Sequence, residues 1–313
     1  MRTSTVGYMS SDGVSRIHAR TWEPDSSGPV VAGIVQIAHG MAEHIERYAP
    51  FAEQLVSQGY VVCAEDHIGH GGSVSSTSQL GHIPHAAGAD ALIEDMHELR
   101  RIVAGRYSSV VPYVMFGHSM GSYMVRAYLT RHADGLAGAI MCGTGQVPAA
   151  LSTAGLLVAH ALRTIKGEEH RSPLLDSMGV GAYAKAIRDA RTPLDWLSRD
   201  EKNVDDYIAD PLCGFMFSVG GYEAVLSLTK EAANAAKASR IPADLPMLFI
   251  SGADDPVGAQ GRGVREAVEE YRRAGMRDVD LVLYEGLRHE ILNEAEAGAV
   301  VADVTSWLEK HLR

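Results

Sequence analysis

Residues 110–121 read Val110-Val111-Pro112-Tyr113-Val114-Met115-Phe116-Gly117-His118-Ser119-Met120-Gly121. The apolar run from Val110 to Phe116 predicts a buried strand, and the segment after Ser119 has a helical pattern. Between them lies G-x-S-x-G, a motif that in this context turns a strand into a helix and presents the serine hydroxyl above a sheet. The glycines have a physical role, because so tight a turn brings neighbouring backbone too close for side chains. Gly and Ser are common enough for the bare pattern to arise by chance. Its strand and helix flanks set this one apart, and Ser119 is the candidate nucleophile.

A serine hydroxyl is weakly nucleophilic and needs a base that a third group orients. For a nucleophile on such a turn the chain order is Ser, then acid, then His. After Ser119 come His132, His160, His170, His289 and His311, and only His289 directly follows a predicted core strand, Val279–Tyr284. His132 and His311 close helices, where a cation suits the dipole. The strand Met247–Ser251 leads into Gly252-Ala253-Asp254-Asp255-Pro256, which offers two carboxylates. Pro256 biases Asp255 away from the helical region, as suits an extended residue just past a strand end. Asp255 is therefore the candidate acid, and Asp254 reads as a solvated turn residue. The remaining need is an oxyanion hole, usually two backbone N–H groups. Met120 supplies one. The loop His39-Gly40-Met41-Ala42-Glu43-His44 supplies the other from Met41, with Gly40 allowing the turn.

Working outward, the rest of the chain alternates strand and helix. Residues 3–22 read as a hairpin turned at Ser11-Asp12-Gly13. Residues 30–38 and 60–64 are continuous apolar runs typical of strands buried on both faces. Helical patterns cover Tyr48–Gln58, residues 90–103 with Asp90 as N-cap, and Val300–Leu312; Leu136–Cys142 adds a strand. This order implies an α/β fold with a mostly parallel central sheet and helices on both faces. The alternation breaks over residues 146–240, which are rich in Ala, Leu and charge and contain no good strand. The expected organisation is a core of residues 1–145 and 241–313 carrying a helical cap of residues 146–240. Insertions emerge where open sheets bind ligands, at the carboxyl ends of strands.

Composition narrows the function. Lys+Arg 28 against Asp+Glu 39 leaves a net charge of −11, which excludes nucleic acid as a natural partner. Three cysteines, Cys63, Cys142 and Cys213, suit a reducing cytoplasm better than a disulfide framework. The first residues lack the apolar run of a secretory leader. The most apolar window outside the strands, Leu151–Leu162, is too short for a membrane span of roughly 18–20 residues. Contact with a membrane, if any, is expected to be transient and through the cap. His67/His70 and His82/His85 stand at metal-ligand spacing, yet no H-E-x-x-H occurs and His67 and His70 lie in a Gly-rich loop. Neither a metal nor a cofactor is expected in the chemistry.

The segment His39-Gly40-Met41-Ala42-Glu43-His44-Ile45-Glu46-Arg47-Tyr48 resembles the H-G-x-x-E-H-x-x-R-Y signature of α/β-hydrolases of the monoacylglycerol lipase and lysophospholipase-like group, also called serine aminopeptidase-like. Asp66-His67-Ile68-Gly69-His70-Gly71-Gly72-Ser73 resembles that group's D-x-x-G-H-G-x-S loop, with Ile68 where Arg is commoner. The resemblance implies the α/β-hydrolase fold, a Ser119–Asp255–His289 triad, and Met41 and Met120 as oxyanion donors. It implies ester cleavage through an acyl-enzyme, with a small ester or a single-chain lipid as substrate. His39, Gly40, Glu43, His44, Arg47 and His118 would shape the site. Glu43, His44 and Arg47 read either as head-group ligands or as an ion-pair network holding the oxyanion loop. Leu151, Leu156, Leu157, Val158 and Leu162 read either as an acyl tunnel or as the glue between cap and core. An aminopeptidase or amidase with the same triad is the alternative reaction, and a non-catalytic binder on the same fold the alternative class.

Overall fold

The computed structural model describes residues 1–25 and 31–312. Val30, the first residue of one expected strand, lies outside them. Eight strands form one sheet: β1 (Arg2–Met9), β2 (Arg16–Glu23), β3 (Gly33–Ala38), β4 (Tyr60–Asp66), β5 (Tyr113–His118), β6 (Gly138–Cys142), β7 (Met247–Gly252) and β8 (Val279–Tyr284). Their spatial order is β1-β2-β4-β3-β5-β6-β7-β8. The β1–β2 and β2–β4 pairs are antiparallel, and all later pairs are parallel. The expected α/β architecture is the observed one.

Side chains alternate between two cores, one on each face of the sheet. In β5, Tyr113 and Met115 face one core while Val114 and Phe116 face the other. The first core receives α2 (Gly88–Ala104), α3 (Met120–His132) and α10 (Arg262–Arg273); the second receives α1 (Ala49–Ser57) and α11 (Ala297–Leu312). Between β6 and β7 run α4 (Ala149–Lys166), α5 (Pro173–Met178), α6 (Val180–Tyr183), α7 (Glu201–Ala209), α8 (Val219–Ala232) and α9 (Ala235–Ala238). Extended pairing there is limited, among the described residues, to an isolated bridge between Arg171 and Ser218.

Two expectations need correction. The strand expected from Val110 begins at Tyr113, because Pro112 has no N–H for the ladder and contributes only its carbonyl, which accepts from Ile34 N–H at 2.8 Å. Asp90 is not the cap of α2. Ala87 occupies that position, and Asp90 sits exposed in the first turn, paired with Arg131 at 2.7 Å. Its charge there still complements the helix dipole.

Behind the sheet lies a buried acidic pair. Glu65 of β4 accepts the Tyr8 hydroxyl through Oε2, while its Oε1 and both ring nitrogens of His67 lack hydrogen-bond partners among the described residues. Glu65 Oε1 and His67 Nδ1 stand 3.4 Å apart. Burial raises the Glu65 carboxyl from 4.5 to about 8, and burial together with Glu65 raises Asp95 to about 7. Between the unfolded and folded values the native state holds protons that the unfolded chain has released, so stability falls as pH rises from about 4.5 to about 8. Glu65→Gln mimics the protonated acid. Its melting temperature should fall less than the wild type's between pH 6 and pH 9, by several degrees, since a tenfold difference in proton affinity between the two states is worth about 1.4 kcal/mol. Thermal melts at both pH values check this, and parallel losses in the two proteins would refute it.

Candidate active site

The turn after β5 is built by exclusion of side chains. A Cβ at Gly117 would overlap the carbonyl of Gly121, and one at Gly121 would overlap that of Ala38. Between them Ser119 adopts φ 54° and ψ −119°, a conformation costly for a residue with a side chain. Ser119 N–H donates to Cys142 O at 3.0 Å, and Ser122 Oγ donates to Ser119 O at 2.6 Å. These bonds hold the strained residue at the N-terminus of α3, above the carboxyl edge of the sheet.

The loops after β7 and β8 bring Asp255 and His289 together. Asp255 is fully buried, and His289 Nδ1 lies 2.9 Å from its Oδ2. Ser251 Oγ donates to the same oxygen at 3.3 Å, while Val257 N–H donates to Oδ1 at 2.8 Å. Asp254 is exposed, and its N–H is spent on Leu287 O. The Trp196 ring packs at 5.1 Å on the His289 ring, and His118 lies at 4.7 Å on another side. Gly143 keeps space open beneath, where a Cβ would come within 3.1 Å of His289 Cε1. The imidazole is thus fixed in orientation by a buried carboxylate and by rings on its flanks. Ser119 and His289 line one cavity of about 610 Å³, within the usual ~300–1,000 Å³ of small-molecule sites.

Met41 and Met120 line the same cavity. Among the described residues, neither backbone N–H donates a hydrogen bond within the protein. The Met41 loop is held from every side. Gly40 N–H donates to Glu43 Oε1 at 2.5 Å, and His39 Nδ1 donates to Gly40 O at 2.8 Å. Burial lowers His39 to about 3, so the ring is neutral, and its Nε2 accepts from His67 N–H. Ala42, at φ 55°, donates its N–H to His70 Nε2, while its carbonyl accepts from Tyr207 Oη at 2.7 Å and Gly214 N–H at 3.0 Å. The segment between β6 and β7 therefore grips the loop directly.

An ion-pair network underlies the loop. Arg47 donates to Glu43 Oε2 at 3.0 Å and to both oxygens of Glu290 at 2.6 and 2.8 Å, and Asn203 also donates to Glu290. Tyr48 Oη donates to Glu43 Oε1 at 2.7 Å. Burial works against the Glu43 charge, yet His118 and Arg47 outweigh it and hold the carboxyl well below its ordinary range. Burial likewise opposes the His118 cation, and Glu43 overcomes it, so that the pKa of His118 rises. His118 Nε2 reaches the carbonyl of His289 at 3.3 Å. The network reading of Glu43 and Arg47 is the one the contacts support, while His44 stands beside it in a separate 2.8 Å contact with Asp210.

Of the five apolar residues weighed as a tunnel, only Leu151 lines the cavity. Val158 and Leu162 pack on the core, and Leu157 points to solvent. The cavity walls come instead from Leu175, Met178, Val180, Tyr183, Leu194, Phe215 and Leu226, among others. Sequence reasoning does not reach Trp196, Asn203, Tyr207 or Glu290. Glu290 has one usable signal, its place beside His289; the other three lie within residues 146–240 and reach the site by long-range contacts.

Residues 29–296 match the family described as serine aminopeptidase, S33. A monoacylglycerol lipase of Mycolicibacterium smegmatis is 32% identical over 100% of both chains. The mouse monoglyceride lipase is 25% identical over 95% of this chain and 88% of its own. Among solved structures, a thermostable carboxyl esterase from Bacillus coagulans in complex with glycerol superposes with a TM-score of 0.92, at 29% identity over 100% of both chains. A match over most of the chain, together with the observed sheet order, places it: the protein belongs to the serine aminopeptidase, S33, family and is a hydrolase of the α/β-hydrolase fold.

Proposed function

We propose that this protein is a serine hydrolase that cleaves carboxylic esters through an acyl-enzyme, with a monoacylglycerol or lysophospholipid as substrate. The hydrolase is of the ester-cleaving type, like its relatives among the monoacylglycerol lipases and carboxyl esterases. The observation that carries the mechanism is the buried 2.9 Å contact between His289 and Asp255 at a cavity that Ser119 also lines. His289 takes the Ser119 proton as the hydroxyl oxygen attacks the ester carbonyl. Asp255 holds the imidazolium, and the N–H groups of Met41 and Met120 receive the oxyanion. His289 then protonates the departing alcohol, and afterwards activates the water that releases the acid.

Residues 146–240 act as the cap over a core of residues 1–145 and 241–313, and the mostly apolar cavity lining contributed by the cap suits an acyl chain. Exposed Leu151, Leu157, Ile165, Leu174 and Met178 on α4 and α5 support passing contact with a lipid surface. Among the described residues no helix is long and apolar enough to cross a membrane. Buried free Cys63 and Cys142 support a reducing, cytoplasmic location.

Cleavage of N-terminal residues from peptides is less well supported. An aminopeptidase needs a carboxylate free to bind the substrate's α-ammonium group. Glu43 and Glu290 are taken up by Arg47 and its neighbours, and Asp176 accepts the Tyr222 hydroxyl at 2.8 Å. A panel of p-nitrophenyl esters and aminoacyl arylamides tests the reading. Acyl chains of about eight carbons or more should exceed acetate in kcat/KM by at least about tenfold, given about 0.8 kcal/mol per buried methylene. Preference for acetate would make it a small-ester esterase, and arylamide cleavage at rates rivalling esters would make it an aminopeptidase.

A further inference from the structure

A second cluster of reactive side chains lies where the cap segment meets the oxyanion loop. His44 Nε2 is 2.8 Å from Asp210 Oδ2, and Cys213 Sγ joins them so that one donor atom from each lies within 4.8 Å of the others. The set offers an imidazole nitrogen, a carboxylate oxygen and a thiol sulfur, the three donor types that zinc takes from proteins. Local backbone builds it. Leu212 N–H donates to Asp210 Oδ1 at 2.8 Å and Cys213 N–H to Asp210 O at 3.0 Å, closing a turn that aims the thiol back toward His44. Asp210 keeps 30% of its side chain exposed, which leaves a way in from solvent, whereas His44 keeps only 10%.

We infer that His44, Asp210 and Cys213 form a binding site for a thiophilic divalent cation of the zinc class, and that its occupancy restrains the oxyanion loop. On binding, the Cys213 thiol loses its proton to solvent as the metal–sulfur bond forms. His44 moves its remaining proton to Nδ1, so that the Nε2 lone pair meets the ion. Asp210 contributes an oxygen, and water fills the fourth tetrahedral position. Donors on a tetrahedral ion with bonds near 2.1 Å stand roughly 3.4 Å apart. The ion therefore widens the His44–Asp210 contact and pins the sulfur in place. Both effects act on the same loop: His44 follows Glu43 in the chain, and Gly214, next to Cys213, donates its N–H to the Ala42 carbonyl.

Binding is read without reference to the hydrolytic mechanism, so its failure and that of the proposed function are separable. Equilibrium dialysis of the intact protein at low-micromolar Zn²⁺ should retain one equivalent, and Co²⁺ in its place should show a thiolate-to-cobalt charge-transfer band. Cys213→Ser should abolish the band and weaken zinc retention at least tenfold. Asp210→Asn should weaken retention similarly, and serves alone if the cysteine variant does not fold. The half-buried set Asp278, Asp280 and His311 holds no sulfur, so ions bound there give no such band. With zinc bound, kcat on a p-nitrophenyl ester should fall at least tenfold and recover with chelator. Absence of the band, retention unchanged in both variants, or an unaltered kcat in the zinc-loaded protein would each overturn the inference.

Discussion

Ser119→Ala should lower kcat by about six orders of magnitude while leaving the fold intact. The size of the effect follows from what remains. Without the hydroxyl there is no acyl-enzyme, and residual catalysis comes only from oxyanion stabilisation and substrate binding, worth roughly three to four orders over water. Stability should hardly change, because the cost at this position resides in the backbone. Alanine keeps the Cβ that makes φ 54° unfavourable, and the flanking bonds to Cys142 O and from Ser122 do not involve the lost oxygen. Active-site-titrated kinetics, a fluorophosphonate label and a thermal melt read all three consequences together. An Ala variant that keeps more than a few per cent of wild-type kcat, or that still takes the label, would remove Ser119 from the mechanism.

The turn carrying Ser119 was legible because its reasons are local. Two glycines tolerate contacts that a Cβ would block, and a strand and a helix lie within a few residues on each side. Asp255 was separable from Asp254 for a similar reason, since Pro256 restricts only the residue before it. Strand ends were less legible. Pro112 truncates the start of β5 through a missing ladder donor that an apolar run does not register, and the first turn of α2 forms at Gly88 although Asp90 looked like its cap. What sequence could not reach is the set of contacts made by the segment between β6 and β7. Tyr207, Asn203 and Trp196 sit in a stretch whose helical pattern reports burial but not which loop each residue will touch. The same blindness explains the Leu151–Leu162 run: composition marked it as apolar, and only tertiary packing sent Leu157 to solvent and Val158 and Leu162 to the core.

Asp255→Asn should cost about four orders of magnitude in kcat, and Asp254→Asn no more than a few-fold. The asymmetry comes from hydrogen-bond direction. Oδ1 of Asp255 accepts from Val257 N–H at 2.8 Å, so an asparagine must keep its carbonyl oxygen there. Its NH₂ group then occupies the place of Oδ2, which faces His289 Nδ1 at 2.9 Å. An amide donor pointing at Nδ1 forces that nitrogen to become the acceptor, and the ring proton moves to Nε2. The nitrogen that should take the serine proton is then already protonated. The opposite flip fares no better, because it sets the amide against the Val257 N–H and leaves a buried donor pair unsatisfied, at about 1–3 kcal/mol. Asp254 is exposed and makes no comparable contact with the imidazole, so its amide merely loses a solvated charge. Kinetics of the two variants, with thermal melts to confirm folding, decide between the adjacent carboxylates; the reverse ranking would transfer the role of acid to Asp254.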